Sequence, residues 1–111
     1  MAYDEALAER VKSIIGPRDA LTERKMFGGI AWMVGGNMAC GVMGDDLCVK
    51  LSEEDAQDAL GEDGTRPFEM RGRQAKAFVI VEGTKVADDA ELARWVDAGA
   101  DHAASLPAKQ K

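Results

Sequence analysis

The stretch RKMFGGIAWMVGGNMACGVM, residues 24–43, decides the fold of this chain. It is rich in β-type residues and has no helical period, so it predicts strands. Gly35-Gly36-Asn37 supplies residues that tolerate positive φ, as a tight hairpin turn requires. We expect one strand over 24–34, with a bulge or kink at Gly28-Gly29, and a second strand over 38–43.

Outward from this stretch, the same signals predict three further strands and three helices. A turn at 44–46 leads to a strand over 47–51, and a continuous apolar run predicts an interior strand over 77–81. Pro67 restricts residues 67–70 to a short edge strand, and residues 71–76 are predicted as a polar, basic loop. Apolar spacing or capping residues predict helices over 3–15, from Ser52 and from Asp88.

The resulting order, α-β-β-β-α-β-β-α, describes one α+β domain. We expect an antiparallel meander sheet packed by the N- and C-terminal helices. The domain is predicted to cover residues 1–106, and residues 107–111 are predicted to be a disordered tail.

Composition excludes several classes of protein. The 111 residues fit one domain, and 14 Lys and Arg against 20 Asp and Glu give a formal charge of −6. That charge disfavours direct binding to nucleic acid, which depends on a basic surface. The single His excludes a metal site built from several histidines.

The compartment is expected to be the cytoplasm. Acidic residues at positions 4, 5 and 9 do not fit a secretory signal, and no apolar stretch approaches the ~18 residues that span a membrane. Cys40 and Cys48 are therefore expected to be reduced.

Several ordered blocks resemble the N-terminal domain of the TfoX/Sxy family. In residues 24–42 the family has a Lys-Met-Phe-Gly-Gly strand and a hairpin with Gly-Asn-Met. The remaining blocks are 46–50 (DLCVK), 66–70 with 72–76 (RPFEM with GRQAK), and 88–92 with 95–96 (DDAEL with WV). At Gln74-Ala75 the family usually has Pro-Met. The resemblance covers about residues 3–106.

The resemblance implies an α+β fold similar to that of secretion-chaperone-like domains. It also implies a role in transcriptional regulation, because family members are regulators of competence for DNA transformation in bacteria. Those regulators carry a second, C-terminal domain, for which these residues have no counterpart, so we interpret this chain as a stand-alone copy of the N-terminal domain.

The sequence offers no catalytic constellation. His102 is predicted to be a surface residue of the last helix, and no nucleophile-elbow or zinc-protease motif occurs. The glycine pairs lack the Lys-Ser/Thr of a phosphate loop and do not open a helix. We therefore expect no enzyme activity and no cofactor.

Cys40 and Cys48 lie on neighbouring predicted strands. If the register placed them on one face, they would form a redox-responsive pair, whereas the alternative is two buried, inert thiols. Two cysteines without further ligands do not complete a zinc site.

A basic cluster is the main candidate binding site. Arg66, Arg71, Arg73 and Lys76 stand against Glu69 alone, a local charge of +3, and we expect Lys25 to join them. Residues 53–63 carry six acids, so complementary charge could support self-association. If one sheet face stays exposed, Met and aromatic side chains would form an adaptable binding surface, and they are Met26, Phe27, Trp32, Met33, Met38 and Met43.

These observations favour a non-enzymatic regulatory module that acts by protein–protein contact. Its partner is predicted to be another protein or, in a homodimer, a second copy. The alternative is a binder of a small anionic ligand or nucleic acid that uses the basic loop 66–76.

Overall fold

The computed structural model describes residues 3–26, 28–70 and 72–107 and confirms a single-domain α+β fold. A six-stranded antiparallel sheet has the strand order β1-β2-β3-β4-β6-β5. The elements in chain order are α1 (Glu5–Ile15), β1 (Leu21–Met26), β2 (Gly29–Val34), β3 (Asn37–Met43), β4 (Asp46–Lys50), α2 (Glu53–Ala59), β5 (Thr65–Met70), β6 (Arg73–Val81) and α3 (Asp89–Ser105).

The predicted single strand over 24–34 is wrong, because it is a hairpin of β1 and β2. Met26 pairs with Gly29 across the turn, and Gly28 has a φ of 73°. The glycine pair interpreted as a bulge thus provides the positive φ of a tight turn. Four strands rather than three precede α2, and the irregularity in β2 lies at Trp32/Met33 instead.

The predicted basic loop 71–76 is also wrong in its described part. Strand β6 begins at Arg73, which pairs with Met70 of β5, so these residues belong to a second hairpin. Gly72 has a φ of 78° at the turn, and Arg71 lies outside the described residues. A polar strand end gives no apolar alternation, which is why the pattern resembled a loop.

Each helix begins at a side-chain cap. Asp4, Ser52 and Asp88 accept hydrogen bonds from the backbone N–H groups three residues ahead. The caps predicted at Ser52 and Asp88 are confirmed, and each satisfies a backbone donor that has no partner within its helix. In the part of the chain that the structure describes, no helix is long and apolar enough to cross a membrane.

All three helices cover the same face of the sheet. On that face Trp32, Cys40, Val49 and Val79 are successive partners across β2, β3, β4 and β6. They join one core cluster with buried side chains of the helices, which include Val11 and Ile15 of α1, Ala56 of α2, and Leu92, Trp95 and Val96 of α3. This cluster places the helices in a single layer.

Helix α3 approaches the sheet closely at Gly99. A Cβ atom at this position would collide with the carbonyl oxygen of Ala39 in β3. Gly99 is buried, so the helix cannot move outward without opening the core around it. The glycine therefore sets how closely α3 packs against the middle of the sheet.

We expect Gly99→Ala to destabilise the protein by about 1–3 kcal/mol, because overpacking outweighs the gain in helix propensity. Urea unfolding followed by circular dichroism measures the change. Ala104→Gly, at an exposed position of α3, is the control for propensity and should cost up to about 1 kcal/mol. An unchanged or raised stability of Gly99→Ala would contradict the close packing.

A polar cluster joins α3 to the segment after α2. Arg94 lies 2.8 Å from carboxylate oxygens of both Glu91 and Glu62, and Lys85 lies 3.3 Å from Glu91. Hydrogen bonds from Arg94, and then from Lys85, lower the pKa of Glu91 to about 2. The Arg94 guanidinium also lies 4.5 Å from the centroid of the Trp95 ring, a cation–π contact.

The lowered pKa of Glu91 predicts a pH-dependent contribution to stability. A depressed carboxyl pKa stabilises the fold above the unfolded-state value of about 4.5, and this contribution is lost as the pH falls towards 2. Glu91→Gln should therefore be less stable than the parent at neutral pH, with the difference shrinking below about pH 4.5. Urea unfolding across this range tests it, with Glu9→Gln as an exposed control. A difference that does not depend on pH would refute the explanation.

Candidate functional site

The face of the sheet opposite the helices, called the open face below, is crossed by one row of paired residues. Successive partners from β1 to β5 are Arg24, Ala31, Gly41, Cys48, Ile80 and Arg66. Partners in an antiparallel ladder share a face, so arginines stand at both ends of the row and small or apolar side chains fill its middle. Ala31, Cys48 and Ile80 are 2%, 1% and 6% exposed.

Longer apolar side chains surround this row. Met33, its partner Met38, and Met43 lie on the open face and are half-buried. Phe68 and Phe78 are also half-buried, with ring centroids 5.6 Å apart. Within residues 3–26, 28–70 and 72–107, no helix covers this face. It is thus an apolar surface rather than the polar outer face usual for an antiparallel sheet.

Some of the predicted surface residues lie elsewhere. Met33, Met38 and Met43 are on the open face, but Trp32 points into the helix-side core, where its indole N–H donates to Glu23 at 3.0 Å. The Met26 side chain and Phe27 lie outside the described part. Of the six side chains named from the sequence, the structure thus places three on the open face and one in the helix-side core.

The charges on the open face are mainly positive. Arg66 donates to Asp46 at 2.6 Å, and because β6 lies between their strands, the Arg66 side chain crosses that strand. Arg24 is exposed and Lys50, which pairs with Phe78, is half-buried. Neither Arg24 nor Lys50 makes an ion pair among the described residues.

The structure does not bring the predicted basic residues together. Lys25 lies on edge strand β1, on the helix side, in a groove of about 310 Å³ between α1 and the first hairpin. Arg66 lies on β5, the other edge, which is roughly 24 Å away at five strand spacings. Lys25 is therefore not part of a surface with the second hairpin.

The rest of the predicted basic cluster is partly engaged. Arg73 and Lys76 are exposed at the start of β6, and Arg71 lies outside the described residues. Arg66 is opposite Ile80, four residues beyond Lys76 and so about 13 Å along the strand. Because Arg66 is already bound to Asp46, Arg73 and Lys76 are the described cations of this hairpin that remain available.

The two cysteines face opposite sides of the sheet. Cys40 pairs with Val49, so it lies in the helix-side core, whereas Cys48 pairs with Gly41 on the open face. Both thiols are free and buried. Burial raises the pKa of Cys48 to about 12 and raises the pKa of Cys40 further. A bond between them would require one strand to turn over, so the register opposes the redox-responsive pair and favours the alternative of two buried, inert thiols.

These raised pKa values predict unreactive thiols in the folded protein. The thiolate is the reactive form, and at about pH 8 neither cysteine should carry it. We expect Ellman's reagent to modify neither cysteine in the native chain and both after unfolding in guanidinium chloride. Rapid native modification of one thiol would show that its strand opens, and the Cys40→Ala and Cys48→Ala variants identify which.

A groove of about 740 Å³ lies at the end of the sheet beside the first turn of α1. Its two arginines are engaged, because Arg66 binds Asp46 and Arg10 donates to Asp89 and to backbone carbonyls of Val86 and Ala87. The groove also has more carboxylates than arginines, which opposes an anionic ligand. Among the described residues, no cluster of three His, Cys, Asp or Glu side chains is placed to hold a metal.

His102 is half-buried in the last part of α3. The Ser105 hydroxyl donates a hydrogen bond to the backbone carbonyl oxygen of His102 at 2.6 Å and not to the imidazole ring. The geometry therefore does not join these two neighbours as a nucleophile and base.

The fold and its open face define a class of protein, a small α+β domain with one helical layer and an apolar sheet surface rimmed by cations. The family model of the TfoX N-terminal domain matches residues 13–103. The chain belongs to this family, which is associated with competence regulators, and the resemblance found in its sequence is confirmed. Comparisons with curated proteins and with solved structures gave no match, so the similarity to secretion-chaperone-like folds stays a prediction.

Proposed function

We propose that the chain is a non-enzymatic regulatory module that contacts a protein partner through its open face and acts in transcriptional control. The open face itself carries this proposal. Contiguous apolar side chains on a surface are a feature of binding sites, and methionines adapt to a partner's shape. Met33, Met38 and Met43 provide such a surface on β2 and β3.

The surroundings of Cys40, Cys48 and Ser105 support a non-enzymatic role. Cys40 and Cys48 are buried with raised pKa values, so neither is an activated nucleophile. The hydroxyl of Ser105 is directed at a carbonyl oxygen. In the described residues, these groups are engaged in packing or in local hydrogen bonds.

The alternative function is binding of a small anion or of nucleic acid through residues 66–76. Exposure of Arg73 and Lys76 favours it. The ion pair of Arg66 and the location of Lys25 on the far edge of the sheet reduce the number of cations that such a site would use. We therefore place this alternative second.

The regulatory proposal is tested by Met43→Asp, which puts a charge on the open face. In cells of the source organism that lack the gene, the parent chain should restore the transcript profile, and Met43→Asp should lose most of this effect because a buried carboxylate opposes docking. Ala6→Asp, an exposed position of α1, is the matched control and should restore the profile.

Folding of both variants is checked by circular dichroism before the comparison. If deletion of the gene leaves transcripts unchanged, the regulatory role is wrong. If Met43→Asp is folded and fully active, the open face is not the contact surface. Loss of activity in Arg73→Glu together with Lys76→Glu, with Met43→Asp active, would favour the anion-binding alternative.

A further inference from the structure

The two sides of the molecule differ in charge. Helices α2 and α3 carry eight carboxylates and one arginine. On the open face the carboxylate Asp46 is bound to Arg66, while Arg24 and Lys50 make no ion pair among the described residues. The apolar surface therefore has cations at its rim, although the whole chain has a formal charge of −6.

Arg24 and Lys50 flank an apolar part of the open face. They lie on β1 and β4, which β2 and β3 separate, so their strands are about 14 Å apart. Between them lie Met33 of β2 and its partner Met38 of β3, whose half-buried side chains form the accessible apolar surface, whereas Ala31 and Gly41 beside them are buried. An α-helix has a diameter of about 10–12 Å and fits between the two cations.

A second copy of the chain does not fit this charge pattern. Two open faces packed together would bring their unpaired cations into one interface, and like charges oppose association. The two edge strands also oppose pairing with a second copy of the sheet. Edge strand β1 exposes Glu23, Arg24 and Lys25, and edge strand β5 contains Pro67, which lacks the N–H that pairing requires.

A nucleic acid fits less well than a protein. Phe68 and Phe78 are tilted by 56° against each other, so they pack together rather than form a flat platform for bases. Two unpaired cations on an acidic chain also provide little of the phosphate neutralisation on which such binding depends.

We propose that the open face binds an acidic amphipathic helix of a partner protein. Apolar side chains of that helix lie over Met33 and Met38, and its flanking carboxylates contact Arg24 on one side and Lys50 on the other. This inference rests on the proposed use of the open face and specifies the chemistry of its partner.

The test uses three labelled peptides of about 18 residues with the same leucine and alanine stripe and with Glu, Gln or Lys at every flanking position. Fluorescence anisotropy measures binding to the parent chain. We expect the Glu peptide to bind roughly tenfold more tightly than the Gln peptide, the Lys peptide to bind most weakly, and the differences to shrink at high salt.

Reversing the sign of the charges at Arg24 and Lys50 tests the geometry. The double variant Arg24→Glu and Lys50→Glu should reverse the order of the Glu and Lys peptides. Lys12→Glu, which changes an exposed cation of α1 on the other side of the sheet, should preserve it. If the charge reversal prevents folding, Arg24→Gln with Lys50→Gln should remove the preference for Glu.

The same experiment has clear contrary outcomes. Equal binding of the three peptides, or a preference that Lys12→Glu changes as much as the double variant does, would overturn the proposal. The proposal would also be overturned if light scattering detected a dimer that the double variant abolishes. Competition of a single-stranded oligonucleotide with the Glu peptide would overturn it as well. A preference of the parent chain for the Glu peptide, combined with unchanged transcripts after deletion of the gene, would refute the regulatory role while leaving the helix-binding inference standing.

Discussion

The packing of α3 against the middle of the sheet is the constraint on which the rest of the structure depends. At Gly99 the helix backbone approaches the Ala39 carbonyl so closely that no side chain fits between them. Helices α1 and α2 then complete the same layer, because their buried residues belong to the same core cluster as Leu92 and Trp95. A chain of 111 residues has only these three helices in its described part, and all of them are used on one side.

The open face is the direct consequence of this one-sided packing. An antiparallel sheet with one solvated face normally alternates apolar and polar residues. Here the strands place apolar residues on both faces, as in β4, where Leu47 and Val49 face the helices and Cys48 lies opposite Gly41 on the other side. Burying the half-exposed methionine and phenylalanine side chains of the open face against another molecule would gain free energy.

The sequence predicts the elements better than it predicts what they bring together. Caps at Ser52 and Asp88 and the apolar period of the helices depend on local chemistry, and the structure confirms them. The hairpin at Gly28-Gly29 was missed because a bulge and a tight turn both use glycine. The opposite faces of Cys40 and Cys48 depend on register, and the separation of Lys25 from β5 depends on strand order. Register and strand order are set by pairing between distant segments, so no local pattern reveals Arg24 and Lys50 as the two rims of one surface.

The net charge of −6 is a poor guide to the partner because charge acts over a limited distance. At physiological ionic strength the Debye length is about 8 Å, and the outer surfaces of α2 and α3 lie beyond it from the open face, since a helix is itself about 10–12 Å thick. A docked acidic helix therefore interacts mainly with Arg24 and Lys50. During the approach the partner meets the acidic chain as a whole, so electrostatic steering is weak. It follows that the apolar surface between the two cations supplies most of the affinity, and the cations select the sign and orientation of the helix that binds there.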